Sequence, residues 1–154
     1  MTVVVPFVLI LLQAYLPKIF PQLMILDLPL IAVIFFGVAR REPILGAVTG
    51  SVIGLVQDAL TGQPIGINGL AKTVVGYLSS SIGLQVDVEN LTTRVLLNFG
   101  FSWLQTGLLF LIGRYLLGET GHPIVWLHEL YRALANTAVA IPLFWMLDRT
   151  KRRD

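Results

Sequence analysis

The sequence predicts an all-α protein, a polytopic membrane helical bundle of six transmembrane helices. Three observations carry that expectation. The chain of 154 residues is 55% hydrophobic and 13% charged, about half the charged share of an average soluble domain, and its mean hydropathy is +0.78. Apolar runs recur from one end to the other, separated by short polar breaks. In the third run Gly46, Gly50 and Gly54 recur at every fourth position. Membrane helices use such stripes to bring backbones close, because lipid supplies no hydrophobic drive between them.

A spanning helix needs about 20 mostly apolar residues, with a range of roughly 17–25. Helix 1 is expected from Thr2 to Leu16, continuing to Phe20 past Pro17. Met1-Thr2-Val3 lacks Lys and Arg, and no small-residue cleavage pattern follows, so this run reads as a retained helix rather than a signal. The segment Pro17-Lys18-Ile19-Phe20-Pro21 breaks the run and suits the interface plane. A five-helix arrangement that merges parts of this region is the alternative to six. Helix 2 is expected from Leu26 to Ala39, helix 3 from Pro43 to Leu60 with proline in its first turn, and helix 4 from Ile67 to Val86. Helix 5 is expected from Leu91 to Leu117, and helix 6 from Ile124 to Leu147 with a kink at Pro142. No loop is long enough for a second domain, so residues 1–148 read as one integral membrane domain and 149–154 as a basic tail.

Charge sets the expected orientation. Arg40, Arg41, Arg94, Arg149, Lys151, Arg152 and Arg153 fall on one side of six spans, which the positive-inside rule makes cytoplasmic. Both termini then face the cytoplasm, and the turn around Gly62 faces outward. The basic residues sit at helix ends, so the net charge of +2 points to topology and not to nucleic acid. The absence of cysteine excludes disulfides, thiolate metal sites and cysteine nucleophiles.

Gly46, Gly50 and Gly54 on helix 3, with Gly69, Thr73, Gly76, Ser80 and Gly83 on helix 4, are the expected helix-packing residues. Ionisable groups at membrane depth are costly and mark candidate sites. Asp58 and Lys72 lie near the same depth; they either pair across the hairpin or snorkel separately into the headgroup layer. Asn68 either caps helix 4 or contacts a ligand. On helix 5, Arg94, Asn98, Ser102 and Gln105 share one face, which turns to other helices, to a cavity or to a partner. Gln57, Asp58, Asn68, Lys72, Asn98, Ser102 and Gln105 are therefore the candidate pocket or partner-contact residues.

His128-Glu129-Leu130-Tyr131-Arg132 falls short of the zinc-protease pattern, because a guanidinium replaces the second histidine. His122 is the only other histidine. Pairing of Glu129 with Arg132 and interfacial anchoring by Trp126, His128 and Tyr131 account for that stretch. The chain carries no nucleophile elbow, phosphate loop or paired intramembrane aspartates. No catalytic residue, metal or cofactor is expected.

The run G-x-x-x-G-x-x-x-G-L-x-Q-D-x-L-x-G-x-P-x-G, standing here as Gly46 through Gly66 and followed by Asn68-Gly69-Leu70 and Lys72-Thr73, resembles the central motif of the rod shape-determining protein MreD family. The resemblance is sharp from Gly46 to Leu78 and elsewhere is one of size and hydropathy. It implies a non-enzymatic scaffold of the bacterial cell-elongation (rod) complex, or elongasome, in the inner membrane. It implies an MreC-like single-span partner, with RodA, a penicillin-binding protein and MreB in the larger assembly supporting peptidoglycan synthesis. Membrane lipid and a second copy of the chain are further candidate partners. The resemblance also implies an arrangement similar to the substrate-binding subunits of energy-coupling-factor transporters. The competing expectation is therefore a small-molecule or lipid-binding membrane subunit, its outward pocket lined by the Asp58–Asn68–Lys72 corner and the helix 5 stripe.

Overall fold

The computed structural model describes residues 4–118 and 125–151. Thr2, His122, Ile124 and the tail residues 152–154 lie outside the described residues. The described residues form six α-helices and one 3-10 turn, in order: α1 Val4–Ile19, the turn Pro21–Ile25, α2 Leu28–Arg40, α3 Pro43–Thr61, α4 Ile67–Gly83, α5 Leu91–Leu116 and α6 Trp126–Lys151. Among the described residues there is no strand.

As expected, α1 continues past Pro17, ending at Ile19 before the 3-10 turn. The ends of α4 and α6 differ from expectation. α4 ends at Gly83 instead of Val86, because the amides of Leu84 and Gln85 turn back onto the carbonyls of Ser81 and Ile82. α6 runs on to Lys151, so Arg149 and Lys151 are helical.

The short helix α2 is the centre of the bundle. Its 13 residues span about 20 Å, less than the roughly 30 Å of a bilayer's hydrocarbon core. A helix that is apolar on every side suits either lipid or a protein core; here every residue from Pro29 to Phe35 is buried in the bundle, as are Gly37 and Val38. Leu30, Val33, Ile34 and Val38 pack against Ile53 of α3, Val75 of α4 and Phe101 of α5. Ile31 and Phe35 pack on the other side against Ala140 and Phe144 of α6, with the rings of Phe35 and Phe144 stacked at 5.4 Å.

The most extensive helix–helix contact joins α3 and α4. A Cβ added at Gly50 would run into the carbonyl of Lys72, one at Gly54 into the carbonyl of Asn68, and one at Gly46 into the carbonyl of Gly76. The two backbones therefore touch without intervening side chains, a separation that only glycine permits. The far part of the α4 stripe serves α2 as well: Gly83 lies against Val38, and Ser79 against Gly37.

The surface is inverted relative to a soluble protein. Val48, Val52 and Leu55 on α3, Leu96 and Leu111 on α5, and Leu127, Leu134 and Trp145 on α6 are exposed, while Lys72 is the largest fully buried side chain. Among the described residues two helices, α3 and α5, are long and apolar enough to cross a membrane by length and composition. The up-and-down succession puts Asp27, Gly62 and the start of α6 at one end, here the Gly62 end. Arg41, Glu89 and Asp148 lie at the other, the Arg41 end.

Candidate functional site

The Gly62 end holds a buried polar junction built by four helices. Asp27 caps α2: its Oδ1 accepts the Leu30 amide at 3.1 Å. A capping aspartate followed by proline in the first turn is a standard helix start, which is why the chain turns here. The second carboxylate oxygen, Oδ2, accepts from Lys72 Nζ of α4 at 2.9 Å and from the side-chain amide of Gln105 on α5. The Asp27 amide donates to Asn136 Oδ1 of α6 at 2.9 Å. Asp27, Lys72, Gln105 and Asn136 are all at most 2% exposed. Gln13 of α1 adds a clamp: its side-chain nitrogen donates to the Leu26 carbonyl at 2.6 Å, and its oxygen accepts the Leu28 amide at 3.2 Å.

Asp58 has a different task from the one expected. It does not pair with Lys72, whose ion pair is with Asp27. Its backbone carbonyl accepts the Gly62 and Gln63 amides, closing α3, and Gly62 takes a left-handed φ of 68° there. Its carboxylate accepts the amides of Gly66 at 2.9 Å, Asn68 at 3.1 Å and Gly69 at 3.3 Å. These are among the N–H groups that the first turn of a helix leaves without partners, and a negative charge there also suits the helix dipole. One residue thus ends α3 and starts α4. Asn68, expected as the cap, instead bridges: its amide donates to Asp58 at 2.8 Å and its oxygen accepts from Lys72 at 3.3 Å.

The α5 stripe points inward along its length. Gln105 reaches Asp27, Ser102 is buried, and Asn98 approaches the Thr137 hydroxyl at 3.5 Å. Arg94, at the far end, pairs with Asp148 of α6 and donates to the Val88 carbonyl. Gln57 is buried with its side-chain oxygen unpartnered. Glu129 does not pair with Arg132; it accepts the Thr106 hydroxyl at 3.0 Å, turning toward α5 instead of along its own helix. His128 and Tyr131 are exposed, and Trp126 stacks on Trp103 at 5.9 Å. The described residues thus bring Asp58, Asn68, Lys72 and Gln105 into one connected network, with Asn98 and Ser102 lying apart from it along α5. Asp27 is the member of this network that is not singled out from the sequence alone. Its signals were the Asp27-Leu28-Pro29 start and its being the only carboxylate in the first 40 residues.

A family model described as rod shape-determining protein MreD matches residues 1–149. The chain belongs to the MreD family. The match covers nearly all of it, well beyond the Gly46–Leu78 stretch that carried the resemblance. Among curated proteins, and among solved structures, no chain matches. Membership in MreD agrees with the outward apolar faces: this is a membrane protein involved in determining rod shape.

Proposed function

We propose that this MreD chain is a non-enzymatic, multi-pass scaffold of the cell-elongation complex that holds an MreC-like single-span partner in the inner membrane. In this reading all six helices cross the bilayer, both termini face the cytoplasm and the Gly62 end faces outward. The observation that carries it is the family match over residues 1–149. Physical support comes from the junction, where buried charges are spent on one another: Asp27 on Lys72, and Asp58 on the first turn of α4. Groups held in that way brace a rigid body whose outer faces remain free for helix docking. The competing pocket at the Asp58–Asn68–Lys72 corner is disfavoured, because Asp58 and Lys72 are fully buried and bonded to their own neighbours. Co-expression with an MreC-like protein and purification in mild detergent tests the scaffold. A stable, monodisperse chain that never retains that partner would count decisively against it.

A further inference from the structure

The Arg41 end carries a cleft of about 770 Å³, bounded by α2, α5, α6 and the link between α4 and α5. Ligand sites typically occupy about 300–1,000 Å³, so the space is adequate for a headgroup and the upper part of a chain. Its walls divide by depth. Ile34, Phe35, Val38, Leu97 and Phe144 make an apolar interior, and Arg41, Glu89, Arg94 and Asp148 make a charged rim. From Ile34 to Arg41 the α2 wall rises about 10 Å. An apolar interior with a charged rim fits an amphiphile better than a soluble metabolite.

The rim charges are not equivalent. Arg94 and Asp148 are bonded to each other. Among the described residues neither Arg41 nor Glu89 has an ion-pair partner. Both stand on fixed backbone. Arg41 ends α2 with a left-handed φ of 57°, its amide donating to the Gly37 carbonyl at 3.1 Å. The Glu89 amide donates to Asp87 at 3.0 Å. Among the described residues, one mouth therefore presents one guanidinium and one carboxylate outside any ion pair. A guanidinium matches a phosphate in geometry and charge, and a carboxylate matches an ammonium.

We propose that this cleft binds an amine-bearing glycerophospholipid, its phosphate on Arg41, its ammonium on Glu89 and its upper chain against Phe35, Leu97 and Phe144. A purely anionic headgroup would satisfy Arg41 and meet repulsion from Glu89. A choline headgroup keeps the charge but has no N–H to donate. Beyond the cleft, α5 and α6 present exposed apolar side chains such as Leu96, Ile141 and Trp145, so the rest of the lipid meets compatible surface. The site lies at the opposite end of the bundle from the Asp27 junction and is distinct from the outward pocket considered above.

Native mass spectrometry of the full chain in detergent tests the assignment, with phosphatidylethanolamine, phosphatidylcholine and phosphatidylglycerol titrated separately. The ethanolamine lipid binds most tightly. Arg41→Asn, which keeps a residue tolerant of the left-handed backbone, and Glu89→Gln each weaken it about ten-fold, the scale of one charge-assisted bond. Glu89→Gln also narrows the gap between the ethanolamine and glycerol lipids. Arg40→Gln, one residue outside the rim, changes nothing. Glu89 lies in an exposed link, so its variant remains informative if Arg41→Asn lowers the yield. Equal binding of the three lipids, or unchanged ethanolamine-lipid binding in both rim variants, would overturn the proposal.

Discussion

Lys72 Nζ and Asp27 Oδ2 lie 2.9 Å apart although the two residues are 45 positions apart in the chain, and both side chains are buried. Removing one member of such a pair leaves an uncompensated buried charge, at a cost of about 3–5 kcal/mol. Lys72→Met is therefore expected to abolish or severely reduce the folded fraction. Asp27→Asn combined with Lys72→Met should recover much of the loss, because the amide still caps α2 and no lone charge remains. Thermal unfolding in detergent reads both, and equal losses in the single and double variants would contradict the pairing.

Two glycine substitutions separate close packing from helix propensity. Gly50→Ala drives a methyl into the Lys72 carbonyl and is expected to destabilise by about 1–3 kcal/mol through overpacking. Gly100→Ala meets nothing within 4 Å and should be neutral or stabilising by up to about 1 kcal/mol. Midpoints of thermal melts compare the two directly.

Asp58→Ala removes the acceptor for three amides at the start of α4, and a loss of about 1–2 kcal/mol is expected from the cap. Asp58→Asn keeps one acceptor and should lose less. Asp58 and Lys72 also interact through their charges and share Asn68 as a bridge, so neither loss is expected to add simply to that of Lys72→Met. A double-mutant cycle measures that coupling.

The proposed orientation is open to direct labelling, since the chain has no cysteine of its own. Gln63→Cys at the Gly62 end should react with an impermeant maleimide in intact cells. Gln85→Cys at the Arg41 end should react only after the membrane is opened. The reverse pattern would invert the topology.

Much of the frame was legible because it is written in local chemistry. The glycine stripe, the proline at the start of α3 and the apolar runs each follow from a few neighbouring residues, and the motif around Asp58 pointed to the family later matched along the chain. The role of α2 was harder. Locally it reads as one more apolar span, whereas its packing against α3, α4, α5 and α6 surrounds it with protein and removes any need to match bilayer thickness. The partner of Lys72 was harder still. Asp58 and Asp27 both lie at the same end of the bundle, and only the packing of α2 against α4 decides between them. Asp58 is taken instead by amides of the helix it precedes, a demand that the local sequence states clearly once the helix start is placed.

The bond from the Asp27 amide to Asn136 joins positions 109 residues apart. In the proposed multi-pass arrangement, the early hairpins enter the bilayer before the final helix emerges from the ribosome. Until then the junction lacks one wall, and a polar backbone group waits without its mate. The last segment to be made is thus a keystone: a nascent chain cut short before it would display an unfinished polar seam, a ready mark for membrane quality control.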